Sequence, residues 1–177
     1  MFSSINPATG DEIASWTPTS DRDVDRAITQ SETAYSNWSQ FTLSERTGVL
    51  IKLAELIRGR ADDLSLLATR EMGKPISQSR AEVEKCAALC EHYASASKAY
   101  LRPEQIDLSP ARGKVVYQPT GPIFSIAPWN FPFWQVLRLA IPNLALGNTV
   151  ILKHAPNVFG CARAIQSLFE DLDAPNN

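Results

Sequence analysis

This sequence lacks the features that mark several whole classes of protein. Its 177 residues carry a formal net charge of −2, and no basic stripe interleaved with aromatic residues occurs, so no nucleic-acid partner is expected. No run of about 20 apolar residues is present, so no membrane partner is expected. Residues Met1–Asn6 have neither the basic start nor the apolar middle of a secretory signal. We therefore expect a cytoplasmic protein.

Residues that bind metals are also scarce. The chain has three cysteines and two histidines. Cys86 and Cys90 lie four residues apart in a helical pattern, which favours packed thiols over a disulfide. His92 and His154 are far apart, and close pairs of Cys or His residues do not recur. No metal site is predicted.

The composition is that of an ordinary folded domain. Hydrophobic residues make up 44% and charged residues 20%, and a chain of 177 residues suits one hydrophobic core. Residues 121–153 place apolar, turn and polar signals in the order of a β–α–β unit. The apolar run that ends at Pro128 and the β-branched run 149–152 that ends at Lys153 predict two buried parallel strands.

A helix is predicted between these two strands. Pro132 suits its first turn, and Gly147-Asn148 supplies a left-handed stop. Pro142 lies inside the helical pattern, and an interior proline costs a helix about 3 kcal/mol unless the helix kinks. We therefore expect a break or bend near Ile141. The apolar residues at helical spacing are Val136, Leu137, Ala140, Ile141 and Leu144.

Two polar side chains follow the ends of the predicted strands. Ligands of open parallel sheets bind beyond the carboxyl ends of the strands, which is where Asn130 and Lys153 stand. The Asn130 amide can donate to an oxygen anion, and the Lys153 ammonium can hold a ribose or a phosphate. Taken singly, such an Asn is more often a turn residue and such a Lys is more often solvated. Their place in one unit favours a shared site.

Two motifs in this unit carry a resemblance to a known family. Pro128–Pro132, PWNFP, followed after the helix by Gly147–Lys153, GNTVILK, resembles the aldehyde dehydrogenase superfamily. The resemblance implies an α/β fold: the amino-terminal portion of a Rossmann-type cofactor domain with a helical lead-in and a protruding β-hairpin. It implies that Asn130 is a catalytic residue, the side-chain half of an oxyanion hole. The implied cofactor-binding residues are Ile126, Ala127, Pro128, Trp129, Asn130, Lys153, His154, Ala155 and Pro156.

The flanking sequences are most similar to the succinate-semialdehyde dehydrogenase branch of that family. FWQVLR at 133–138 and KHAPN at 153–157 carry this similarity. It implies that Trp134 and Arg138 line the pocket for a small aldehyde substrate, where the guanidinium would pair with a distal carboxylate.

The resemblance implies NAD or NADP as the cofactor. An acidic residue three places beyond the lysine often restricts family members to NAD, and that place is Pro156 here. Because no carboxylate stands there to repel a 2′-phosphate, we expect that NADP is tolerated. His154 is interpreted either as an aid to phosphate binding or as a solvated or capping histidine.

The remaining sequence predicts helices and two hairpins. Residues 5–13 predict a hairpin, and Ser20 predicts the cap of a first helix. A capping box over Thr42–Glu45 opens a second helix that ends near Gly59. Further helices are predicted at about 61–72, 76–100 and 158–172, and a hairpin at 103–119 with its turn at 109–113. The predicted buried face of the first helix is Val24, Ala27, Ile28, Ser31, Ala34, Tyr35 and Trp38.

The charged residues of the lead-in are interpreted as structural. Weak ion pairs on solvated helix faces are expected rather than acid–base pairs: Glu71 with Lys74, and Glu82 or Glu84 with Arg80 or Lys85. Cys161 lies one turn into a helix with no base evident, so a buried thiol is favoured over a nucleophile.

We divide the chain into residues 1–102, the amino-terminal hairpin and helices of the cofactor domain; 103–118, a hairpin that the resemblance implies is used for oligomerisation; and 119–177, a partial β–α–β unit. Oxidising an aldehyde requires a thiolate and a base, and the family's nucleophilic cysteine and glutamate have no counterpart here. We therefore expect the amino-terminal part of an NAD(P)-dependent enzyme, inactive alone, with exposed apolar faces.

Two other hypotheses stay open. One is a noncatalytic dehydrogenase remnant that pairs with intact subunits as an interaction module. The other is a dinucleotide-binding domain of different chemistry, which is weakened because no G-x-G-x-x-G turn follows any predicted strand. If the chain is part of an aldehyde dehydrogenase or a noncatalytic remnant of one, it is expected to form a homo-oligomer or to bind a partner subunit.

Overall fold

The computed structural model describes residues 1–172, which form an α/β fold. Its helices are α1 (Asp21–Trp38), α2 (Leu43–Gly59), α3 (Ala61–Met72), α4 (Ile76–Tyr100), α5 (Trp134–Leu146) and α6 (Phe159–Glu170). Its strands are β1 (Phe2–Ile5), β2 (Glu12–Trp16), β3 (Glu104–Leu108), β4 (Ala111–Val115), β5 (Pro122–Ala127) and β6 (Thr149–His154). A 3-10 turn, Pro156–Val158, leads into α6.

The amino-terminal hairpin is confirmed and packs on α6. Strands β1 and β2 are antiparallel, and the turn between them closes with the Asn6 amide donating to the Asp11 carbonyl at 2.8 Å. The rings of Phe2 and Trp16 both meet the Phe159 ring at the start of α6, with centroids 5.2 and 5.1 Å away. Edge-to-face aromatic contacts of this kind attach the hairpin to the rest of the fold.

The four helices that precede the β–α–β unit, α1 to α4, begin and end where the sequence predicts, and we call them the lead-in helices. The Ser20 hydroxyl accepts from the Asp23 amide at the start of α1, and Thr42 and Glu45 form the predicted capping box of α2. Gly73 adopts a left-handed conformation with φ of 77°, which ends α3 and starts the turn into α4. Local capping signals therefore determined these boundaries.

The prediction for the buried face of α1 is wrong in its first half. Ser31, Ala34 and Trp38 are buried, but Val24 and Ile28 are exposed. The helix packs on the sheet where Ser31 and Thr149 of β6 share a hydrogen bond of 3.0 Å between their hydroxyls. The start of α1 extends past this contact, and its apolar side chains meet solvent.

Strands β5 and β6 form the predicted parallel pair with α5 between them. The register pairs Ile126 with Lys153 and Ala127 with His154, so β6 continues two residues beyond the predicted end. The prediction of a break near Ile141 is wrong, because α5 is one continuous helix that contains Pro142, and a bend there stays a prediction. Two of its last carbonyls accept hydrogen bonds at 3.0 Å from other helices: Leu144 from the Trp38 indole and Ala145 from the Arg46 guanidinium.

The loop after α5 fastens this helix to the start of the sheet. Gly147 has φ of 110° and ends the helix, as predicted. The Asn148 side-chain oxygen accepts from the amides of Thr120 and Gly121 at 2.7 and 3.1 Å. These bonds join the entry of β5 to the entry of β6, and the two strands leave that point in parallel.

The two faces of the β5–β6 pair differ in burial. Ser125, Ala127 and His154 are buried on the face that meets the helical core. On the other face, Phe124 is 62% and Ile126 is 70% exposed. The prediction that both strands are buried is therefore correct for one face only, and the exposed apolar face that we expected is present. We call Val24, Ile28, Phe124 and Ile126 the outer face.

The second hairpin projects from the fold. Strands β3 and β4 are antiparallel, and Leu108 pairs with Ala111, so the turn is tighter than the predicted 109–113. All residues of β3 are exposed, including Ile106 and Leu108. A role of this hairpin in oligomerisation stays a prediction.

One hydrophobic core joins the lead-in helices to the β–α–β unit. It contains Leu50 and Leu53 of α2, Val83 and Cys86 of α4, and the fully buried Ile141 of α5. No helix among the described residues combines the length and the hydropathy needed to cross a membrane. Residues 1–102 and 119–172 thus share a single packed interior.

Candidate functional site

The predicted site lies at the carboxyl ends of β5 and β6. Asn130 stands three residues beyond the last residue of β5, and Lys153 is the next-to-last residue of β6. Because the strands are parallel and paired in register up to Ala127 and His154, both residues lie at the same edge of the sheet. Asn130 and Lys153 are exposed, and no ion pair within residues 1–172 involves Lys153. An amide donor and an ammonium are therefore open to solvent at this edge.

The other predicted cofactor residues divide between surface and interior. Those that are exposed are Ile126, Pro128, Trp129 and Pro156; Ala155 is half-buried, and Ala127 and His154 are buried. Ile126 and Lys153 are register partners, so their side chains project from the same face of the sheet. We call these exposed residues, together with Asn130 and Lys153, the rim.

His154 supports the loop that carries Asn130. Its Nδ1 accepts from the Ala155 amide at 2.7 Å, so the proton lies on Nε2, which donates to the Pro132 carbonyl at 2.9 Å. Burial lowers the pKa of this imidazole, which keeps the ring neutral. The interpretation of His154 as a solvated residue is wrong. A phosphate contact from this ring stays a prediction, although both nitrogens are engaged within the protein.

Glu82 and Lys74 support the start of α5, and the prediction that they lie on solvated helix faces is wrong. The Glu82 carboxylate is 3% exposed, and its Oε1 accepts from the amides of Phe133 and Trp134 at 2.8 and 2.9 Å. Its Oε2 pairs with the ammonium of Lys74, which is 7% exposed. The Lys74 Nζ also lies 3.9 Å from the centroid of the Phe131 ring. These residues are therefore not part of a solvated helix face.

Glu71 does the same at the start of α6. Its side chain is 2% exposed, and its two oxygens accept from the amides of Gly160 and Cys161 at 2.9 and 2.8 Å. Anionic groups are favoured at helix amino termini because unpaired amides and the helix dipole point there. The prediction that Glu71 is solvated and pairs with Lys74 is also wrong.

The sequence contains a signal for these buried carboxylates. Glu82 precedes Val83 by one residue and Cys86 by four, so it lies on the apolar stripe of α4 rather than opposite it. A charge on an apolar stripe predicts a buried partner, because an unpaired buried charge is costly. The sequence did not show which amides donate to Glu82, because α5 lies about 50 residues away along the chain.

Cys161 is a structural thiol. It is fully buried, and burial together with the neighbouring Glu71 carboxylate raises the pKa of its thiol well above the ordinary range. Cys86 and Cys90 are also buried, and neither forms a disulfide. Thiolate is the nucleophilic form of cysteine, and burial disfavours it, so none of these three cysteines is suited to attack a substrate.

The predicted substrate residues lie on α5 one turn apart. Trp134 is half-buried and Arg138 is exposed. The Lys85 ammonium of α4 lies 3.8 Å from the centre of the Trp134 ring, a cation–π contact that the sequence did not indicate. Lys85 of α4 therefore contacts Trp134, and Arg138 lies about one turn further along α5.

Comparison with known proteins places this arrangement in a family. A sequence profile of the aldehyde dehydrogenase family matches residues 1–177. The succinate semialdehyde dehydrogenase [NAD(P)+] Sad of Escherichia coli is 40% identical over 172 residues, which cover 97% of this chain and 37% of that protein. The chain thus spans just over a third of the length of this relative.

Solved structures give the same result for the fold. An aldehyde dehydrogenase from Brucella melitensis biovar abortus 2308 superposes with a TM-score of 0.93 at 36% identity over 98% of this chain and 36% of that one. The succinic semialdehyde dehydrogenase of Streptococcus pyogenes, solved with NADP+, gives 0.94 at 26% identity over 98% and 38%. The predicted α/β fold, the amino-terminal portion of such a cofactor domain, is confirmed. Because the family profile extends over its whole sequence, this chain belongs to the aldehyde dehydrogenase family.

Proposed function

We propose that this chain is the amino-terminal part of an NAD(P)-dependent aldehyde dehydrogenase that oxidises a semialdehyde, such as succinate semialdehyde, to its carboxylic acid. The observation that carries the proposal is the exposure of Asn130 and Lys153 at one edge of a parallel strand pair. Ligands of such sheets bind at this edge. The E. coli relative carries this activity in its name, and its similarity extends over nearly the whole chain.

Asn130 is proposed to stabilise the oxyanion that forms when a nucleophile adds to the aldehyde. The Asn130 Nδ2 can donate a hydrogen bond to that oxygen, and a donor held in place before the reaction stabilises the developing charge without reorganising. The loop is suited to this task because its exposed part, Trp129 to Phe131, is followed at once by the buried residues Pro132 and Phe133. A rigid base thus supports an accessible amide.

The exposed rim beside this amide fits a dinucleotide. Lys153 presents a cation that can bind ribose hydroxyl groups or a phosphate, and Trp129 and Ile126 supply apolar surface next to it. The dinucleotide would accept a hydride from the substrate. NAD and NADP are both proposed, because Pro156 places no negative charge near Lys153.

The substrate class is proposed from Arg138. Its exposed guanidinium lies on α5, the helix that begins directly after the Asn130 loop. A guanidinium can bind a carboxylate through two parallel hydrogen bonds, which would orient an aldehyde that carries an acid group at its far end. The Lys85 ammonium next to Trp134 adds positive charge to the same region.

Substitution of Asn130 tests the proposed mechanism. In a complete aldehyde dehydrogenase that contains this chain, Asn130→Ala is expected to lower kcat about 100-fold to 1,000-fold with a smaller change in KM, because one oxyanion donor is lost. Asn37→Ala on the exposed surface of α1 makes the same chemical change away from the site and serves as the control. A kcat within twofold of the wild type for Asn130→Ala would remove Asn130 from the mechanism.

The 177-residue chain alone is proposed to have no turnover. Its three cysteines are all buried, so no thiolate meets a substrate at the Asn130 edge. Measurable oxidation of succinate semialdehyde by the purified chain would contradict this.

A second candidate role is suggested by the exposed apolar side chains of the β3–β4 hairpin, such as Leu108. In this role the chain pairs with intact aldehyde dehydrogenase subunits without catalysing a reaction. Sizing chromatography with a full-length family member distinguishes the two roles, because the catalytic role requires no such complex.

A further inference from the structure

The loop that carries Asn130 is fixed at its far end by three buried polar side chains from different elements. Glu82 of α4 accepts from two amides at the start of α5, and His154 of β6 donates to the Pro132 carbonyl. Lys74, from the turn between α3 and α4, pairs with Glu82 and contacts Phe131. Each of these contacts is made within four residues of Asn130.

Lys74 is the link between the interior and the exposed part of the loop. Its ammonium neutralises the buried Glu82 carboxylate and also lies 3.9 Å from the centroid of the Phe131 ring, the residue next to Asn130. The Phe131 carbonyl in turn accepts from the Gln135 amide at 2.9 Å, which makes Phe131 part of the first turn of α5. The residue that follows Asn130 is therefore contacted at its ring by a buried cation and held at its carbonyl by the helix.

Glu71 provides an internal comparison. It is as deeply buried as Glu82 and caps α6 through two bonds of similar length, but no ion pair in the described part of the chain involves it. A cap alone therefore does not require a buried cation here. What distinguishes the Glu82 cap is that its cation also touches the loop of the site.

We propose that Lys74, together with Glu82, is a positioning residue for Asn130, and that this ion pair sets the direction in which the Asn130 amide points. The inference rests on the proposed role of Asn130, but the geometry of the loop can be measured without it. The Lys74 cation can act on both partners, because it pairs with the Glu82 carboxylate and faces the Phe131 ring.

The first test uses the 177-residue chain and NMR spectroscopy. In Lys74→Met, hydrogen exchange at the Phe133 and Trp134 amides is expected to speed up about tenfold or more relative to the Leu53 amide of the core, and the Asn130 side-chain amide signal is expected to shift or broaden. Lys74→Arg retains the charge and is expected to restore both signals. Glu71→Gln is the matched control: it should speed exchange at Gly160 and Cys161 and leave the Asn130 signal in place.

The second test uses a complete aldehyde dehydrogenase that contains this chain. Lys74→Met is expected to lower kcat about tenfold with KM nearly unchanged, and to have no further effect once Asn130 is Ala, because a positioning residue acts only through the residue it positions. A residue that merely stabilises the fold would lower kcat equally in both backgrounds, and that result would overturn the proposal. Glu71→Gln is expected to behave in this additive way.

These experiments distinguish a failure of the proposed function from a failure of the positioning role of Lys74. If Asn130→Ala leaves kcat intact, the proposed function fails, and the NMR signals still decide whether Lys74 orders the loop. If Lys74→Met is too unstable to study, Phe131→Leu removes the aromatic ring without leaving an unpaired charge. An unchanged Asn130 signal in Phe131→Leu, or in a folded Lys74→Met, would refute the positioning role.

Discussion

The residue at position 156 determines whether a negative charge stands near Lys153. Pro156 is exposed and begins the 3-10 turn directly after β6, three residues beyond the lysine. A side chain at this place therefore projects from the rim proposed to bind the dinucleotide. Proline contributes neither a charge nor a hydrogen-bond donor, so position 156 itself does not repel a 2′-phosphate.

Adding a carboxylate at position 156 should produce cofactor selectivity. In a complete enzyme, Pro156→Glu is expected to raise the KM for NADP about tenfold or more while changing the KM for NAD little, because like charges repel at short range. Pro156→Gln introduces a side chain with nearly the shape of glutamate but without its charge, and it is the control. Steady-state kinetics with both cofactors measure the effect. Equal changes for NAD and NADP in Pro156→Glu would contradict the proposal that the 2′-phosphate of NADP lies near position 156.

Arg138 is the residue from which the substrate class is proposed. In a complete enzyme, Arg138→Leu is expected to lower kcat/KM for succinate semialdehyde about 10-fold to 100-fold while leaving kcat/KM for an uncharged aldehyde such as butanal within about threefold, because only the former loses a charged hydrogen bond. Arg163→Leu on the exposed side of α6 makes the same change elsewhere. If discrimination between the two aldehydes is unaltered in Arg138→Leu, the assignment to semialdehydes fails.

At the scale of elements, the two helices that follow the strand ends begin on buried carboxylates. Glu82 caps α5 and Glu71 caps α6, and both come from the region around the α3–α4 turn. The lead-in helices therefore determine where the β–α–β unit places its loops. Hydrogen bonds to a charged acceptor contribute about 1.5–3 kcal/mol each to stability, so these caps are a substantial part of the fold's free energy.

Gly160 and Gly48 allow the α6 cap to be tested with one chemical change. A Cβ at Gly160 would lie 2.6 Å from the Glu71 Oε1, whereas a Cβ at Gly48 of α2 meets nothing within 4 Å. Gly160→Ala is expected to lower the free energy of unfolding by about 1–3 kcal/mol, because it displaces the carboxylate from its two amides. Gly48→Ala should instead raise it by about 0.5–1 kcal/mol.

Urea denaturation of the 177-residue chain followed by circular dichroism measures both substitutions. The two variants differ from the wild type by the same methyl group in the same kind of secondary structure. A Gly160→Ala variant as stable as Gly48→Ala would show that the Glu71 cap contributes nothing.

For the whole molecule, the distinguishing property is the exposed apolar outer face. It combines two residues of α1 with Phe124 and Ile126 of β5, on the side of the sheet opposite the core. A surface of this kind binds apolar probes in water, because burying apolar area there is favourable.

The outer face should make the chain bind the dye ANS. The double variant Phe124→Thr/Ile126→Thr is expected to reduce the ANS fluorescence of the folded chain at least about twofold, since two of the largest exposed apolar side chains are lost while β-branched residues retain the strand. Leu66→Gln removes an exposed apolar residue of α3 outside this face and is the control. Equal losses in the two variants would show that the dye does not select the outer face.

The amino-acid sequence by itself determined the features that depend on neighbouring residues. The caps at Ser20 and Thr42, the left-handed glycines 73 and 147, and the period of the apolar residues define helix ends and strands locally, and the structure confirms them. The order of strand, helix and strand was sufficient to predict a parallel pair, because a crossover helix returns the second strand in the direction of the first.

Only the tertiary structure decided which side chains are buried. Glu71, Lys74 and Glu82 have the composition of a solvated helix face, but their partners are amides and a ring that lie 50 to 90 residues away along the chain. The exposure of Val24, Ile28, Phe124 and Ile126 was equally unreadable residue by residue, because an apolar pattern shows that a face requires cover but not which segment covers it. Burial is a property of long-range packing: a local pattern, such as Glu82 on the apolar stripe of α4, shows that a side chain needs a partner but not which distant segment supplies it.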